Sequence, residues 1–350
     1  MDTKSQRLVS PIDGAWSTTQ IMASLAKALV SDGPALGFGA VTSTEVEAKT
    51  AVLVTSTGST GANKEISLSA SALLASAKAS NKFLNANFGE TWSLLLPLTH
   101  IAAVNVLVRS LELGTIPVNL VGHSGEYPKV DYTAIVPTQL FNALTGDDHL
   151  LKHLQSAKGV LVGGAALTSE LHTQATNAGI TVVTTYGMSE TSGGCVYNGE
   201  ILEGAEVEVR GGSIFIRGSV LALNLELSDG WFETNDLGEF VDEKLVVIGR
   251  SDDVIISGGE NLSLNSVENI LNQSFPNTQF AAFSVEDPQW GQTLHIAVVG
   301  EADSGSISSV LEEKVGAFAK PKGIHSLKSL PLLGIGKVDR KRLAQEIPNE

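Results

Sequence analysis

The feature that most constrains the fold is the alternation of short apolar runs with helix-like stretches over the first half of the chain. A helix is predicted over residues 17–31, where Ser17 and Gln20 have the spacing of a capping box. Short buried strands are predicted at 51–55, 159–162 and 180–184. A second helix, rich in Ala, Ser and Leu, is predicted over 69–84. This rhythm continues to about residue 186 and favours a layered α/β core with mainly parallel strands.

The pattern changes between about residues 200 and 250, where apolar and charged residues alternate and Asp229 followed by Gly230 favours a hairpin. A small antiparallel β unit is therefore predicted here, and a domain boundary is expected near Asp252. The predicted fold class is α/β with α+β elements. It comprises an N-terminal domain, residues 1–251, and a small C-terminal α/β domain, residues 252–350.

The charge of the chain is acidic overall but unevenly distributed. The 350 residues carry a net charge of −15, which disfavours binding to nucleic acid or to anionic membranes. Residues 314–342 hold eight basic residues and one acidic residue, a net of +7, which leaves −22 on the rest. We expect an anion to meet the protein in this basic window.

Cysteine content and hydropathy indicate the cellular setting. The single cysteine, Cys195, excludes an internal disulfide and a multi-cysteine metal site. The first residues contain no apolar signal region, and no apolar run reaches the roughly 18 residues that a membrane span needs. We expect a cytoplasmic protein without membrane insertion.

A glycine- and hydroxyl-rich segment follows the apolar run at 51–55. Glycines let backbone N–H groups approach an anion closely, and a lysine adds a point charge, so the segment has the composition of a phosphate cradle. It is not a Walker A motif, because Asn63 and Glu65 flank the lysine. A flexible surface loop is the alternative. The residues concerned are Thr55, Ser56, Thr57, Gly58, Ser59, Thr60, Gly61 and Lys64.

This segment resembles the phosphate-binding signature of the adenylate-forming enzymes, the acyl-CoA synthetase superfamily. Four further segments resemble motifs of that superfamily, in the same order along the chain. They are TYGMSET at 185–191, FETND at 232–236, GRSDDVIISGGEN at 249–261 and GIGKVDR at 334–340. Five ordered matches make the resemblance specific.

The resemblance implies a two-step reaction. A carboxylate attacks the α-phosphorus of ATP, which gives an acyl-adenylate and pyrophosphate, and a thiol, usually that of coenzyme A, then displaces AMP. The implied partners are a small-molecule acid, ATP with Mg²⁺, and coenzyme A as co-substrate, with no tightly bound prosthetic group. The sequence leaves the oligomeric state open, a homodimer included.

The same resemblance implies a role for individual residues in the nucleotide site. Glu190 would bind Mg²⁺, with Ser189 nearby, and Tyr186 would stack on adenine. Asp236 would accept the ribose hydroxyls and Arg250 would donate to the sugar or the α-phosphate. For Glu190 the alternative is a solvated carboxylate, and for Tyr186 it is packing in the core. For Asp236, and for Gly163 to Ala165, the alternative is a plain turn. The remaining residues implied at the adenine and ribose are Gly163, Gly164, Ala165, Thr185 and Gly187.

The resemblance also assigns the mobile half of the reaction to the C-terminal domain. Lys337, in the basic window, would bridge the attacking carboxylate and the α-phosphate, with a solvated basic face as the alternative. Asp252 would be the hinge about which the domain rotates between the two steps. The loop that enters for the thioester step would comprise Gly258, Gly259, Glu260 and Asn261.

Three stretches carry a finer resemblance: VPTQL at 136–140, LVGGAAL at 161–167 and TYGMSETSGG at 185–194. Within the superfamily they resemble most the o-succinylbenzoate–CoA ligases of menaquinone biosynthesis, in their shortened actinobacterial form. Such an acid needs an apolar slot for its ring and a polar end for its second carboxylate. Arg109 is a candidate partner for that carboxylate, and a structural ion pair is the alternative. The resemblance implies that His100 is a catalytic residue beside the acid, although a lone histidine before an apolar helix is more often structural. The residues expected to line the acid pocket are His100, Ser192, Gly193 and Gly194.

Three positions depart from the superfamily motifs, namely Asn63, Glu65 and Asn235, and we expect them to tune nucleotide affinity. Other functions remain open at this point. They are a CoA ligase for another acid, a stand-alone adenylation enzyme that loads a carrier protein, and a catalytically silent nucleotide-binding protein. The presence of Lys337 and Glu190 disfavours the silent protein.

Overall fold

The structure, a computed structural model, describes residues 6–57, 63–257, 260–276, 278–287, 291–332 and 338–346. Its helices are α1 Thr18–Leu29, α2 Ala70–Phe83, α3 Ile101–Glu112, α4 Pro137–Thr145, α5 Asp148–Ser156, α6 Ser169–Asn177, α7 Leu264–Ser274, α8 Ser304–Lys314 and α9 Arg340–Glu346. The strands of the described ranges form four sheets.

The first sheet contains β1 Gln6–Pro11, β2 Ala35–Phe38, β3 Glu45–Glu47, β4 Thr50–Thr57 and β5 Asn63–Ser69, in the order β3-β1-β2-β4-β5. The second contains β6 Trp92–Leu94, β7 Val118–Asn119, β8 Tyr132–Ile135, β9 Gly159–Val162, β10 Val182–Met188, β11 Gly193–Tyr197 and β12 Glu200–Ile201. Its order is β12-β11-β10-β9-β8-β6-β7, and β6 to β10 run parallel.

The third sheet is the antiparallel unit expected near residues 200–250. Its strands, in spatial order, are β13 Ala205–Arg210, β14 Ser213–Gly218, β15 Phe232–Val241 and β16 Lys244–Arg250. The fourth sheet contains β17 Val254–Ser257, β18 Glu260–Ser263, β19 Gln279–Asp287, β20 Gly291–Val299 and β21 Gly323–Ser326. The predicted fold class is confirmed, and the domain limits remain a prediction.

Helix α1 shows how the sequence pattern produces an element and then a core. Ser17 caps its first turn: the Gln20 N–H donates to Ser17 Oγ at 3.3 Å and the Ser17 N–H donates to Gln20 Oε1 at 2.8 Å. Ile21, Leu25 and Ala28 face inward from the same side of the helix. The capping box and the apolar face were both predicted from the sequence, and both are confirmed.

Helices α2 and α3 lie between the first two sheets, and their apolar side chains fill the main core. Helices α4, α5 and α6 cover the other face of the second sheet with a separate apolar cluster. The parallel strands of the second sheet are therefore covered on both faces, as parallel sheets require. The loops at the carboxyl ends of these strands are where ligands bind in folds of this kind.

Candidate active site

The loop after β9 meets the middle of β10 at the carboxyl edge of the second sheet. Gly163 follows β9, and a Cβ atom at this position would lie 2.1 Å from Thr185 Oγ1. Only glycine fits this contact. Gly164 has φ +82°, in the left-handed region that favours glycine. Ala165 is exposed beyond them. The structure thus brings together the predicted residues of the two segments.

Tyr186 on β10 connects the second sheet to the antiparallel unit. Its hydroxyl donates to Asp236 Oδ2 at 2.8 Å, and Arg250 Nη1 lies 3.3 Å from Asp236 Oδ1. Asp236 is only 8% exposed. Burial, reinforced by the Asp236 carboxylate, raises the pKa of Tyr186 well above its ordinary value, so the phenol stays protonated and donates. Both oxygens of the predicted ribose acceptor are therefore held in place by neighbours.

Glu190 lies in a short 3-10 turn, Ser189–Thr191, that follows β10. The Thr191 hydroxyl fixes this turn, because its Oγ1 accepts from the Met188 N–H at 3.0 Å and donates to the Gly193 carbonyl at 2.7 Å. The Glu190 carbonyl accepts from the Ala222 N–H at 2.9 Å. The backbone of the predicted magnesium ligand is thus held on both sides.

The next two residues are anchored from the helices behind the turn. The Ser192 carbonyl accepts hydrogen bonds from Ser76 Oγ at 3.1 Å and from Asn105 Nδ2 at 2.9 Å. Ser192 is left-handed, with φ +52°. A Cβ atom on Gly193 would lie 1.7 Å from Asn105 Nδ2, so only glycine leaves room for the hydrogen bond from Asn105 to Ser192. Asn105 was missed in the sequence because it stands in an otherwise apolar helix.

Arg109, one turn beyond Asn105 on α3, is a buried cation. It is 3% exposed, its Nη2 donates to the Tyr197 hydroxyl at 2.9 Å, and its guanidinium lies 5.1 Å from the centre of the Trp92 ring. Its Nε has no hydrogen-bond partner among the described residues. Burial lowers the pKa of Arg109, and within the described ranges no carboxylate pairs with it. The structural ion pair considered from the sequence is not present there.

Gly194 connects this cation to the predicted acid pocket. A Cβ atom on Gly194 would lie 2.8 Å from Tyr197 Cε1, so the Gly194 backbone packs against the ring whose hydroxyl binds Arg109. The Ser192–Gly194 segment therefore contacts α3 through Asn105 and lies against Tyr197. The segment expected beside the acid therefore lies against Tyr197, the residue whose hydroxyl binds the buried Arg109 guanidinium.

The predicted phosphate loop is shorter than expected. Thr55, Ser56 and Thr57 belong to β4 and Lys64 belongs to β5, and these strands pair as an antiparallel hairpin. The expectation that all of 55–64 forms a loop was therefore wrong at both ends. The backbone at 55–57 and at 63–64 belongs to paired strands. Four predicted residues lie outside the described ranges: Gly58, Ser59, Thr60 and Gly61.

Glu65, one of the departures from the superfamily motif, is a structural anchor for this hairpin. Its carboxylate accepts hydrogen bonds from the backbone and side chains of Thr42 and Ser43. Burial opposes ionisation of Glu65, but these four hydrogen bonds outweigh it and lower the pKa of the carboxyl. The hairpin is thereby tied to the loop that follows β2.

His100 stands at the start of α3, at the cap position, and is half-buried. The preceding residue, Thr99, comes close to the end of β2, since a Cβ atom on Gly39 would lie 3.3 Å from the Thr99 carbonyl and 2.1 Å from Thr55 Oγ1. The structure therefore places His100 next to the base of the hairpin. Its role at the acid stays a prediction.

The C-terminal predictions are only partly described. Lys337, Gly258 and Gly259 lie outside the described residues. Asp252 lies in a 3-10 turn, Ser251–Asp253, between the last strand of the antiparallel unit and the first of the fourth sheet. Glu260 and Asn261 belong to β18, which pairs with β17, so assigning them to a loop was wrong.

Several basic residues of the basic window are paired with acidic residues outside it. Lys322 pairs with Asp287 at 2.8 Å, and Lys320 pairs with Glu312 at 3.1 Å. Arg340 reaches Asp253 at 3.2 Å and Glu268 at 2.9 Å. Arg340 thus connects α9 to the turn after β16 and to α7. The expectation that an anion meets the basic window stays a prediction.

Three further features concern nucleophiles, membrane spans and metal ligands. Burial raises the pKa of the Cys195 thiol to about 12, which makes it a poor nucleophile. Within the described ranges no helix is long and apolar enough to cross a membrane. No cluster of three or more His, Cys, Asp or Glu side chains occurs in the same ranges.

A family model described as "AMP-binding enzyme" matches residues 5–215, more than half of the chain. The chain belongs to the AMP-binding enzyme family. The predicted resemblance to the adenylate-forming superfamily is confirmed. The family match ends inside β14, so it covers the hairpin, β9, β10 and Glu190 but stops before Asp236 and Arg250.

Named members of the AMP-binding family resemble the chain over most of its length. It is 36% identical over 335 residues, 87% of each chain, to a protein of Mycobacterium tuberculosis named "Probable 2-succinylbenzoate–CoA ligase". A structure of the o-succinylbenzoate CoA synthetase MenE of Bacillus subtilis, in complex with the acyl-adenylate OSB-AMP, superposes with a TM-score of 0.74. It is 23% identical, covering 98% of this chain and 84% of the other. The same enzyme with ATP and magnesium gives a TM-score of 0.71 at 22% identity, covering 95% and 83%.

Proposed function

We propose that the protein is a 2-succinylbenzoate–CoA ligase (o-succinylbenzoate is the same acid). The benzoate carboxylate or the aliphatic carboxylate of the acid attacks the α-phosphorus of ATP, and the bond to pyrophosphate breaks. The thiolate sulfur of coenzyme A then attacks the acyl carbon and AMP leaves. Similarity to the mycobacterial relative, over 87% of each chain, supports this acid, and menaquinone biosynthesis is the pathway that the resemblance implies.

The nucleotide part of the proposal rests on the groups that converge at the edge of the second sheet. Adenine lies along the Gly163–Ala165 turn and Tyr186, and the ribose hydroxyls meet the Asp236 carboxylate. Arg250, held against Asp236, is close enough to the sugar to donate to it or to the α-phosphate. The hairpin β4–β5 carries the triphosphate cradle, and Glu190 supplies the one protein carboxylate for Mg²⁺. ATP with magnesium bound to a relative of the same fold supports this assignment.

The observation that carries the acid assignment is the buried, acid-free guanidinium of Arg109. Burying an isolated cation is costly. Within the described ranges the Arg109 guanidinium contacts the Tyr197 hydroxyl and the face of the Trp92 ring, and its Nε has no hydrogen-bond partner. A carboxylate bound next to the Ser192–Gly194 segment would complete this site. We propose that Arg109 receives the carboxylate of 2-succinylbenzoate that does not react.

The C-terminal residues contribute to both steps of the proposed reaction. We propose Lys337 as the cation at the α-phosphate, Asp252 as the hinge, and coenzyme A as the thiol substrate, all on the strength of the motifs. A carrier-protein thiol is the alternative acceptor. The homodimer remains a prediction of the same kind.

Pyrophosphate release with a panel of acids tests the proposal. The rate of pyrophosphate release should be at least tenfold lower with benzoate, which lacks the second carboxylate, than with 2-succinylbenzoate. Arg109→Met, which preserves the stem of the side chain but removes the cation, should narrow this preference. Preference for benzoate or for fatty acids by the unaltered protein would refute the assignment.

A further inference from the structure

The edge of the first sheet that carries the Gly-rich hairpin is closed by a distant part of the chain. Strand β5 is the last strand of that sheet, so one side of its backbone has no strand partner. The Ser67 carbonyl on that side accepts from the Leu223 N–H at 2.8 Å. Residues 220–224, the bridging segment, therefore lie along the open edge of β5.

The Asn224 side chain makes two further hydrogen bonds to this edge of β5. Its Oδ1 accepts from the Ser67 N–H at 2.9 Å, and its Nδ2 donates to the Glu65 carbonyl at 2.8 Å. One amide side chain thus satisfies a donor and an acceptor of β5 that are about 160 positions away in sequence. Glu65 is also the residue whose carboxylate binds Thr42 and Ser43. Its backbone carbonyl and its carboxylate are therefore both held by hydrogen bonds.

The other end of the bridging segment holds the Glu190 turn. The Ala222 N–H donates to the Glu190 carbonyl at 2.9 Å, and Ser192 Oγ donates to the Val220 carbonyl at 2.8 Å. Val220 is 2% exposed and Ala222 is 6% exposed, so apolar burial fixes the segment independently of its hydrogen bonds. Within five residues, the chain connects the hairpin on one sheet to the turn that follows the other.

We propose that the bridging segment sets the separation between strands β4 and β5 and the Glu190 turn, and that Asn224 is a positioning residue for the magnesium complex of ATP. This inference rests on the proposed nucleotide site. Asn224 acts by holding β5 through Ser67 and Glu65. The adenine and ribose contacts, at Tyr186 and Asp236, do not depend on it.

The selectivity of the effect follows from this geometry. Removing the amide of Asn224 frees the edge of β5, so the β- and γ-phosphate contacts and the metal should weaken. AMP has neither of those phosphates, and its binding should not change. Two hydrogen bonds of ordinary net strength correspond to a loss of affinity of roughly 30-fold. Because the Asn224 side chain is exposed to solvent, the expected loss extends down to about 5-fold.

Isothermal titration with the magnesium complex of α,β-methylene-ATP and, separately, with AMP tests the inference. Asn224→Ala should raise the Kd of the ATP analogue by about 5- to 30-fold and leave the Kd of AMP unchanged. In turnover assays the KM for ATP should rise while the KM for the acid stays constant. Asn119→Ala is the matched control, because Asn119 is also exposed and makes a single local bond, to the Val121 N–H at 3.1 Å.

A second variant keeps the test decisive if Asn224→Ala does not fold. Asn224→Gln retains the donor and the acceptor on a longer stem, and it should give a smaller rise in the same Kd, again without an effect on AMP. Equal weakening of both ligands, or no weakening of either, would overturn the inference. Because neither titration contains an acid, failure of 2-succinylbenzoate as a substrate would refute the proposed function and leave this inference standing.

Discussion

Replacing Gly193 by alanine should destabilise the protein through two separable effects. Gly193 has φ +99°, a backbone conformation that costs an L-residue on the order of 1–3 kcal/mol. The new Cβ atom would lie 1.7 Å from Asn105 Nδ2, which must move away. The buried hydrogen bond from Asn105 to the Ser192 carbonyl is then lost, at about 1–3 kcal/mol.

The two effects together predict a loss of about 2–6 kcal/mol in the free energy of unfolding. Urea denaturation followed by circular dichroism measures this loss directly. Gly122→Ala is the matched control, because Gly122 has φ +72° but no atom within 4 Å of a built Cβ atom. The difference between the two variants isolates the displacement of Asn105.

A double variant tests the mechanism further. Asn105→Ala alone removes the hydrogen bond but also removes the clash, so adding it to Gly193→Ala should cost far less than the sum of the single changes. Pyrophosphate release should fall in Gly193→Ala, since Ser192 is adjacent to the Glu190 turn. Equal destabilisation by Gly193→Ala and Gly122→Ala would refute the reasoning.

Three further changes follow from the geometry. Glu90, whose pKa is lowered to about 2 chiefly by the hydrogen bond from Lys158, should stabilise the fold fully above its unfolded pKa and lose that contribution as the pH falls toward 2. The urea midpoint should therefore drop between pH 5 and pH 3 more in the unaltered protein than in Glu90→Gln, and equal drops would contradict the assignment. Tyr186→Phe removes the hydrogen bond from the phenol to Asp236 and should lower kcat/KM for ATP by about tenfold, whereas an unchanged value would exclude a role for the hydroxyl. Cys195 should react with a thiol reagent at pH 8 only in denaturant, and rapid labelling of the native protein would show that the site is open.

The layered core and its helices could be predicted because they depend on local patterns. Ser17 and Gln20 specify the start of α1, and the apolar run before the Gly-rich segment specifies β4. Strand β5 was missed although its signal was present, since Ile66 and Leu68 alternate with polar residues and are fully buried.

The polar contacts that shape the site could not be predicted, because they join residues far apart in sequence. Asn105 binds a carbonyl 87 residues away, and Arg109 binds a hydroxyl 88 residues away. In sequence both are polar residues in an apolar helix. The same limit explains the basic window, where Arg340 is paired with Asp253 and Glu268 on other elements. Local charge counts do not show which charges are neutralised in the fold.

The mass of the thioester product tests directly whether the protein is a 2-succinylbenzoate–CoA ligase. Purified protein is incubated with 2-succinylbenzoate, ATP, Mg²⁺ and coenzyme A, and the products are separated and analysed by mass spectrometry. We expect 2-succinylbenzoyl-CoA, AMP and pyrophosphate to form in equal amounts. Formation of the acyl-adenylate without any CoA thioester, or a thioester only with other acids, would contradict it.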